Sequence, residues 1–173
     1  MTTRSLSPAQ REHLLREMWL DHDGRWFLKV ADRDGFDQAN ELNRAVGISV
    51  ARTGMRKLIA ALGDGRVRDV KHLRDMMELA YGLYYPPPIC DVSFECVGER
   101  QIRATYRKCP VMDRIEKGGG MRNYVCGCPN AFQGWLAAAD MPGTVQILTS
   151  VPEGAVCCEV LVEVSPSVPT SLD

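Results

Sequence analysis

The periodicity of apolar residues changes at the proline triplet Pro86-Pro87-Pro88, and this change sets the fold class. Before the triplet, apolar side chains recur every three or four residues, which is the spacing of amphipathic helices. After it, apolar and polar residues alternate, as in the run from Val92 to Cys96, which is typical of a strand with one buried face. The chain therefore predicts an α+β fold, with N-terminal helices packed on one face of an antiparallel sheet built from two hairpins with a helical insert.

Local signals delimit three helices before the prolines. Ser7 and Gln10 flank a proline in the pattern of a capping box, which predicts that the first helix begins there. Gly35 predicts its end, because glycine is favoured just past a helix C-terminus. The apolar spacing then predicts a long second helix over residues 36–62, and Asp69 is placed to cap a third helix.

The length of 173 residues suits one hydrophobic core. We expect a single α+β domain over residues 1–164, with a helical half over 7–85 and a hairpin and cysteine half over 89–164. The last residues, 165–173, contain two prolines and predict a flexible tail.

The charge balance excludes several classes of partner. The 21 Lys and Arg residues nearly match the 22 Asp and Glu residues, so no basic field is present to attract nucleic acid or an anionic membrane surface.

No apolar run approaches the roughly 20 residues that span a bilayer. The N-terminal residues lack the apolar core of a secretory signal, which predicts a cytoplasmic location.

Seven cysteines lie in the C-terminal half and none in the first 89 residues. An odd number in a chain expected among reduced thiols does not indicate a disulfide framework. We expect Cys90 and Cys96 to pack as small hydrophobes, since free cysteine is among the most buried residue types.

The other five cysteines are candidate metal ligands. Cys109, Cys126 and Cys128 with either Cys157 or Cys158 would supply four soft ligands for zinc or another thiophilic metal, such as Cu(I) or an iron-sulfur cluster. Only one of the last two residues can join such a site, because neighbours on a strand point to opposite faces.

Cys126 and Cys128 also have a second interpretation, as nucleophiles. A helix that begins near Pro129 would lower the pKa of a nearby thiol. His22 or Asp23 could then move protons, although a histidine bonded to a backbone carbonyl is the alternative for His22.

Aromatic side chains predict a ligand pocket. Trp19, Trp26, Phe27 and Trp135 could line a cavity for an apolar or aromatic ligand, the alternative being ordinary core packing at helical spacing.

Single residues spread from about Leu14 to Val164 carry a resemblance to known families. The chain resembles a bacterial and archaeal family of uncharacterised proteins grouped with L-2-amino-thiazoline-4-carboxylic acid hydrolase. Its layout is also similar to the 4-vinyl-reductase-type small-molecule-binding domain of phenol-sensing regulators. The residues are Trp19, Asp23, Gly24, Trp26, Phe27, Gly35, Phe36, Cys109, Pro110, Gly118, Tyr124, Val125, Cys126, Gly134, Trp135, Pro152, Cys157, Cys158, Glu159 and Val160.

The resemblance implies a helix-covered antiparallel sheet that encloses a ligand cavity. In the sensor relatives it also implies cysteines near a metal, at positions that correspond here to Cys126 or Cys128 and to Cys157 or Cys158. Those relatives place an acidic residue and a further cysteine just before the last hairpin turn, where this chain has Leu148 to Val151.

The sequence thus favours a small-molecule-binding domain with an apolar or aromatic pocket and a cysteine-bound metal. The alternative is a cysteine-dependent hydrolase that opens a thiazoline or a related cyclic C–N bond, with Cys126 or Cys128 as nucleophile and His22 or Asp23 as proton carrier. A third hypothesis is a redox or metal-sensing protein. The expected partner is a small molecule, and the sequence leaves pairing with a second copy of the chain open.

Overall fold

The structure is a computed structural model that describes residues 5–120 and 123–166. Within these residues it is an α+β structure of five α-helices and one four-stranded antiparallel sheet, which confirms the predicted fold class. Of the expected flexible tail, residues 167–173 lie outside the described part. The helices and strands are α1 (Pro8–Asp34), α2 (Phe36–Leu62), α3 (Val70–Tyr84), β1 (Asp91–Gly98), β2 (Gln101–Lys108), α4 (Pro110–Lys117), α5 (Cys128–Ala138), β3 (Gly143–Thr149) and β4 (Cys158–Val164).

The helix ends follow the local signals in the sequence. The Ser7 hydroxyl accepts a hydrogen bond from the Gln10 N–H at 3.2 Å, and the Gln10 side chain accepts one from the Ser7 N–H at 2.9 Å. This capping box satisfies two N–H groups that a helix start would leave without partners. Gly35 separates α1 from α2 with a φ of 88°, a conformation that favours glycine. The Asp69 side chain caps α3.

The sheet places the last strand in its interior. The strand order is β1-β2-β4-β3, so β4 pairs with strands of both hairpins. Ala104 of β2 lies opposite Val160 of β4, and both side chains are buried. Alternate residues of these two strands form the apolar face that the helices cover: Ile102, Ala104, Tyr106, Val160, Val162 and Val164.

Helices α2 and α5 pack very closely over this face. A Cβ atom added at Gly134 of α5 would lie 2.5 Å from the Ile48 carbonyl oxygen of α2. Gly134 thus permits the close approach, and the next residue, Trp135, enters the main core beside Phe132. A smaller cluster, which includes Phe27 and Ile115, joins α1, α2 and α4.

The apolar stripe of α1 does not face the core along its whole length. Met18 is 67% exposed, Trp19 49% and Trp26 42%, whereas Leu20 and Phe27 are buried. Successive side chains on a helix point about 100° apart, so residues that neighbour the buried positions in sequence face a different direction. Part of the predicted apolar face therefore lies outside the core.

In the part of the chain that the structure describes, no helix combines the length and the apolar composition needed to span a bilayer.

Candidate functional site

A cleft lies between α1, α2, α3 and α5, and we call it the tryptophan cleft. Its volume is about 310 Å³, near the lower end of the range of small-molecule sites. Four helices that meet over the sheet provide its walls. The lining residues are Trp19, His22, Asp23, Trp26, Asn43, Val46, Gly47, Val50, Ala51, Tyr81, Tyr84, Tyr85, Ala131 and Trp135.

All three tryptophans of the chain line this cleft. Trp135 is buried at its inner side, where the ring meets that of Tyr81 edge to face at a centroid distance of 6.3 Å. Trp19 and Trp26 stand on α1, about half exposed at the opening. Three of the four aromatic residues that the sequence nominates for ligand binding thus come together in one site.

Phe27 is the exception among these four aromatic residues. Its side chain is 4% exposed and packs in the smaller cluster, with its ring edge to face against Tyr124 at 5.4 Å. One residue beyond Trp26 on a helix, it points about 100° away from the cleft. Phe27 is a core residue of this structure and does not line the tryptophan cleft.

The polar groups of the cleft wall are few. His22 and Asp23 lie on α1 at the opening, and Asn43 lies on α2. Burial raises the pKa of the Asp23 carboxyl above its usual value, and the neighbouring His22 partly opposes this shift. The His22 ring stacks near Trp19 at a centroid distance of 6.4 Å. The cleft therefore has an aromatic wall with one carboxylate at its edge.

A second, much smaller space of about 20 Å³ lies at the N-terminal end of α5, and we call it the cysteine cavity. Four of the five candidate metal-ligating cysteines border it, coming from three different parts of the chain. The lining residues are Tyr106, Cys109, Met112, Cys126, Cys128, Ile147, Ser150, Pro152, Cys158 and Val160.

The remaining cysteines lie elsewhere. Cys157 does not line the cavity; it lies in the bend that precedes β4, one residue before Cys158. Cys90 is buried as expected, and its thiol donates a hydrogen bond to the Lys108 carbonyl oxygen. The same expectation is wrong for Cys96, which is exposed near the end of the edge strand β1.

Cys126 differs chemically from the other cysteines of the cavity. The Cys128 thiol and the Cys128 backbone N–H, at the start of α5, donate to the Cys126 sulfur and lower its pKa to about 7. The pKa of Cys128 is raised well above its usual value, because its proton is shared with Cys126 and the site is buried. Burial raises the pKa of Cys109 to about 12. Cys126 is therefore the thiolate of this cluster near neutral pH.

Asn40 on α2 positions the segment that carries Cys126, and the sequence analysis did not identify it. Its side chain is 4% exposed; the amide nitrogen donates to the Asn123 carbonyl at 2.8 Å, and the amide oxygen accepts from the Val125 N–H at 2.9 Å. A polar residue among the apolar positions of a helix was the available signal, because a buried amide requires hydrogen-bond partners.

The tryptophan cleft and the cysteine cavity are neighbours with a common wall. Tyr81 of the cleft and Tyr106 of the cavity meet edge to face at a centroid distance of 5.4 Å. A Cβ atom added at Gly127, between the two cysteines of the loop, would lie 3.2 Å from the Asn43 amide nitrogen. The predicted nucleophiles therefore line one space, and the predicted proton carriers His22 and Asp23 line the other.

The cysteine cavity does not have the geometry of a metal site. Over residues 5–120 and 123–166, no group of three or more His, Cys, Asp or Glu side chains is placed to hold one ion. The sulfur atoms lie among aromatic and aliphatic side chains, and the Cys126 and Cys128 thiols are both free. The zinc or other thiophilic metal that the sequence suggests therefore stays a prediction.

Comparison with known proteins shows similarity of fold at low sequence identity. No protein-family model matches the chain, and no curated protein matches it. A crystal structure of trafficking protein particle complex subunit 3 from Naegleria fowleri, covalently bound to palmitic acid, superimposes with a TM-score of 0.63 at 12% identity. The match covers 89% of this chain and 97% of that one.

An H-NOX protein from S. oneidensis, in the Fe(II)NO ligation state, is a second structural neighbour. It superimposes with a TM-score of 0.51 at 15% identity, covering 96% of this chain and 80% of that one. The superpositions show that the three chains share a fold. At identities this low they show nothing beyond the fold, so function has to be argued from the site itself.

Proposed function

We propose that this protein binds a small apolar or aromatic molecule in the tryptophan cleft. The observation that carries the proposal is the convergence of all three tryptophans and three tyrosines on one space of about 310 Å³. Large aromatic side chains are costly to leave in water, and a ligand between them would remove apolar surface from solvent. The half-exposed Trp19 and Trp26 would gain most from such a ligand.

The structural neighbours support this proposal at the level of the fold. One carries palmitic acid and the other is in a nitric oxide ligation state, so both hold a small molecule. We further propose kinship with the 4-vinyl-reductase-type binding domains that the sequence resembles. The proposal includes no metal, since the described cysteines are not arranged as ligands of one ion.

A calorimetric titration with phenylbutanol tests binding directly. This probe joins one aromatic ring to a short chain and carries no charge. We expect saturable binding to the unmodified protein and at least about tenfold weaker binding to Gly47→Leu, equivalent to about 1.4 kcal/mol. Gly47 lines the cleft, and a Cβ atom added there meets its nearest neighbours at ordinary contact distances of 3.9 and 4.0 Å. Leucine can therefore be accommodated in the helix at a position of the cleft wall.

Gly82→Leu is the matched control. Gly82 also lies within a helix, but nothing is within 4 Å of a Cβ atom added there and it does not line the cleft. This variant should bind phenylbutanol as the unmodified protein does. Equal binding by both leucine variants, or no binding by the unmodified protein, would refute the proposal.

A cysteine-dependent hydrolase is the second candidate, and the lowered pKa of Cys126 favours it. A thiolate near neutral pH can attack the ring carbon of a thiazoline. The test is hydrolysis of 2-amino-thiazoline-4-carboxylate by the purified protein, with Cys126→Ser expected to abolish it. Cys96→Ser, which alters an exposed cysteine outside the cavity, should retain the activity. An inactive unmodified protein would exclude this candidate for that substrate.

A further inference from the structure

We infer that the ligand of the tryptophan cleft carries a positively charged nitrogen, which Asp23 and the surrounding aromatic rings bind together. This inference rests on the proposed function, because it assigns a chemical class to the ligand of the same cleft. Among apolar ligands, the cleft should bind those with a cationic group more tightly than those with an anionic group.

The first observation is the charge of the residues that line the cleft. Asp23 is the carboxylate among the lining residues, and no Lys or Arg is found among those that the structure describes there. Asp23 also forms no ion pair with any described residue. Asp23 is exposed at the cleft opening. A ligand cation that enters the cleft would be attracted to its charge and could form a charge-assisted hydrogen bond with the carboxylate.

The groups around Asp23 do not supply that partner. On its own helix, the neighbour is His22, an imidazole that also faces the cleft. Tyr85 directly follows the C-terminal end of α3. Burial raises the pKa of its phenol most, and the charge of Asp23 is the next largest cause.

Arg114 of α4 borders a small space on the other side of Asp23. Its guanidinium is bonded to Glu17 at 2.9 Å and to Asp21 at 3.4 Å. This arginine is therefore committed to two other carboxylates of α1, and Asp23 remains available to a ligand.

The second observation is that aromatic rings surround Asp23, and such rings attract cations. The face of an aromatic ring is electronegative, and a cation within about 6 Å of the ring centroid is attracted to it, tryptophan being the best partner. Trp19 and Trp26 stand on the same helix as Asp23, spaced so that all three residues line the opening. A ligand carboxylate at this position would meet both the negative charge of Asp23 and the negative ring faces.

A matched series of probes separates this inference from the proposed function. Phenylbutylamine, phenylbutanol and phenylbutyrate share one skeleton and differ in the charge of the terminal group. We expect the amine to bind at least about tenfold more tightly than the alcohol, and the carboxylate to bind most weakly. In Asp23→Asn the ratio of amine to alcohol affinity should fall to within about threefold of one. Asp32→Asn removes the same charge from an exposed position of α1 outside the cleft and should keep the ratio.

Each outcome decides between the two claims. Amine preference that Asp23→Asn abolishes and Asp32→Asn retains would support the inference. Equal binding of the three probes, preference for the carboxylate, or an amine preference that survives Asp23→Asn would overturn it, while binding of the alcohol would leave the proposed function standing. Failure of all three probes to bind would overturn the proposed function and the inference with it.

Discussion

The Asn40 side chain and the Val125 backbone are joined by a hydrogen bond of 2.9 Å, across 85 residues of sequence. The same side chain also bonds the Asn123 carbonyl, so one amide of α2 fixes the backbone that leads to Cys126. This contact links the helical half of the molecule to the loop on the wall between the tryptophan cleft and the cysteine cavity.

Replacing Asn40 by alanine should destabilise the protein by about 1–3 kcal/mol, because two backbone groups lose a buried partner. Chemical denaturation measures this change through the midpoint of unfolding. Gln38→Ala, two residues earlier at an exposed position of the same helix, should stay within about 0.5 kcal/mol of the unmodified protein. An equally small effect of Asn40→Ala would contradict its anchoring role.

Gly134→Ala should also destabilise the protein, since the added methyl group would meet the Ile48 carbonyl at 2.5 Å and force α2 and α5 apart. Overpacking of this kind costs about 1–3 kcal/mol. The same change at Gly82, where the space is open, should stabilise α3 by up to about 1 kcal/mol through helix propensity. Thermal unfolding of the two variants would show shifts of opposite sign, and shifts of the same sign would argue against the close helix contact.

The lowered pKa of Cys126 predicts selective alkylation by iodoacetamide. The labelling rate at Cys126 should rise with pH and reach half its maximum near pH 7, because the thiolate is the reacting form. Cys109, with its pKa raised to about 12, should remain unlabelled at pH 8. Peptide mass spectrometry after timed labelling measures both rates.

Cys128→Ala tests the cause of that shift. It removes the thiol that donates to the Cys126 sulfur, so the midpoint of labelling should move up toward the value of about 8.5 for an ordinary thiol. An unchanged midpoint would show that the Cys128 side chain does not stabilise the thiolate.

Binding of phenylbutylamine should weaken in acid, if Asp23 holds the cation. Desolvation beside the cleft wall raises the pKa of Asp23 above its usual value of 3.8, so the carboxylate takes up a proton and loses its charge at a higher pH than an ordinary aspartate. Affinity is therefore full at neutral pH and falls as the pH passes downward through this raised value.

The titration is best carried out in a His22→Gln background, because a protonated imidazole would also repel the ligand. The other titratable groups that line a space together with Asp23 are Tyr81, Tyr84, Tyr85, Tyr124 and Arg114. Burial raises the pKa of Tyr85 further above this acidic range. Asp23→Asn in the same background should show no fall in affinity. A constant affinity in the presence of Asp23 would contradict its role.

Much of the fold could be predicted because its signals are local. The capping box at Ser7, the glycine at 35 and the prolines after α3 each act within a few residues, and the structure has helix ends at these places. Alternation of apolar residues likewise predicts β1 and β2 without knowledge of their neighbours.

The direction in which each helix faces could not be predicted in the same way. The spacing of Trp19 and Trp26 shows one apolar stripe, but whether it meets a core or a cleft depends on where α3 and α5 lie. Phe27 and Cys96 illustrate the error: one was assigned to the ligand and lies in the core, the other was assigned to the core and is exposed. Asn40 was missed because its partners lie more than 80 residues away.

Tryptophan fluorescence can report directly on ligand binding in the tryptophan cleft, because every tryptophan of the chain lines it. Three proteins, each retaining one tryptophan with the other two replaced by phenylalanine, would be titrated with phenylbutanol. We expect a saturable change in emission in all three, since one ligand would contact Trp19, Trp26 and Trp135. Unchanged emission in all three, or a response confined to the most exposed tryptophan, would contradict it.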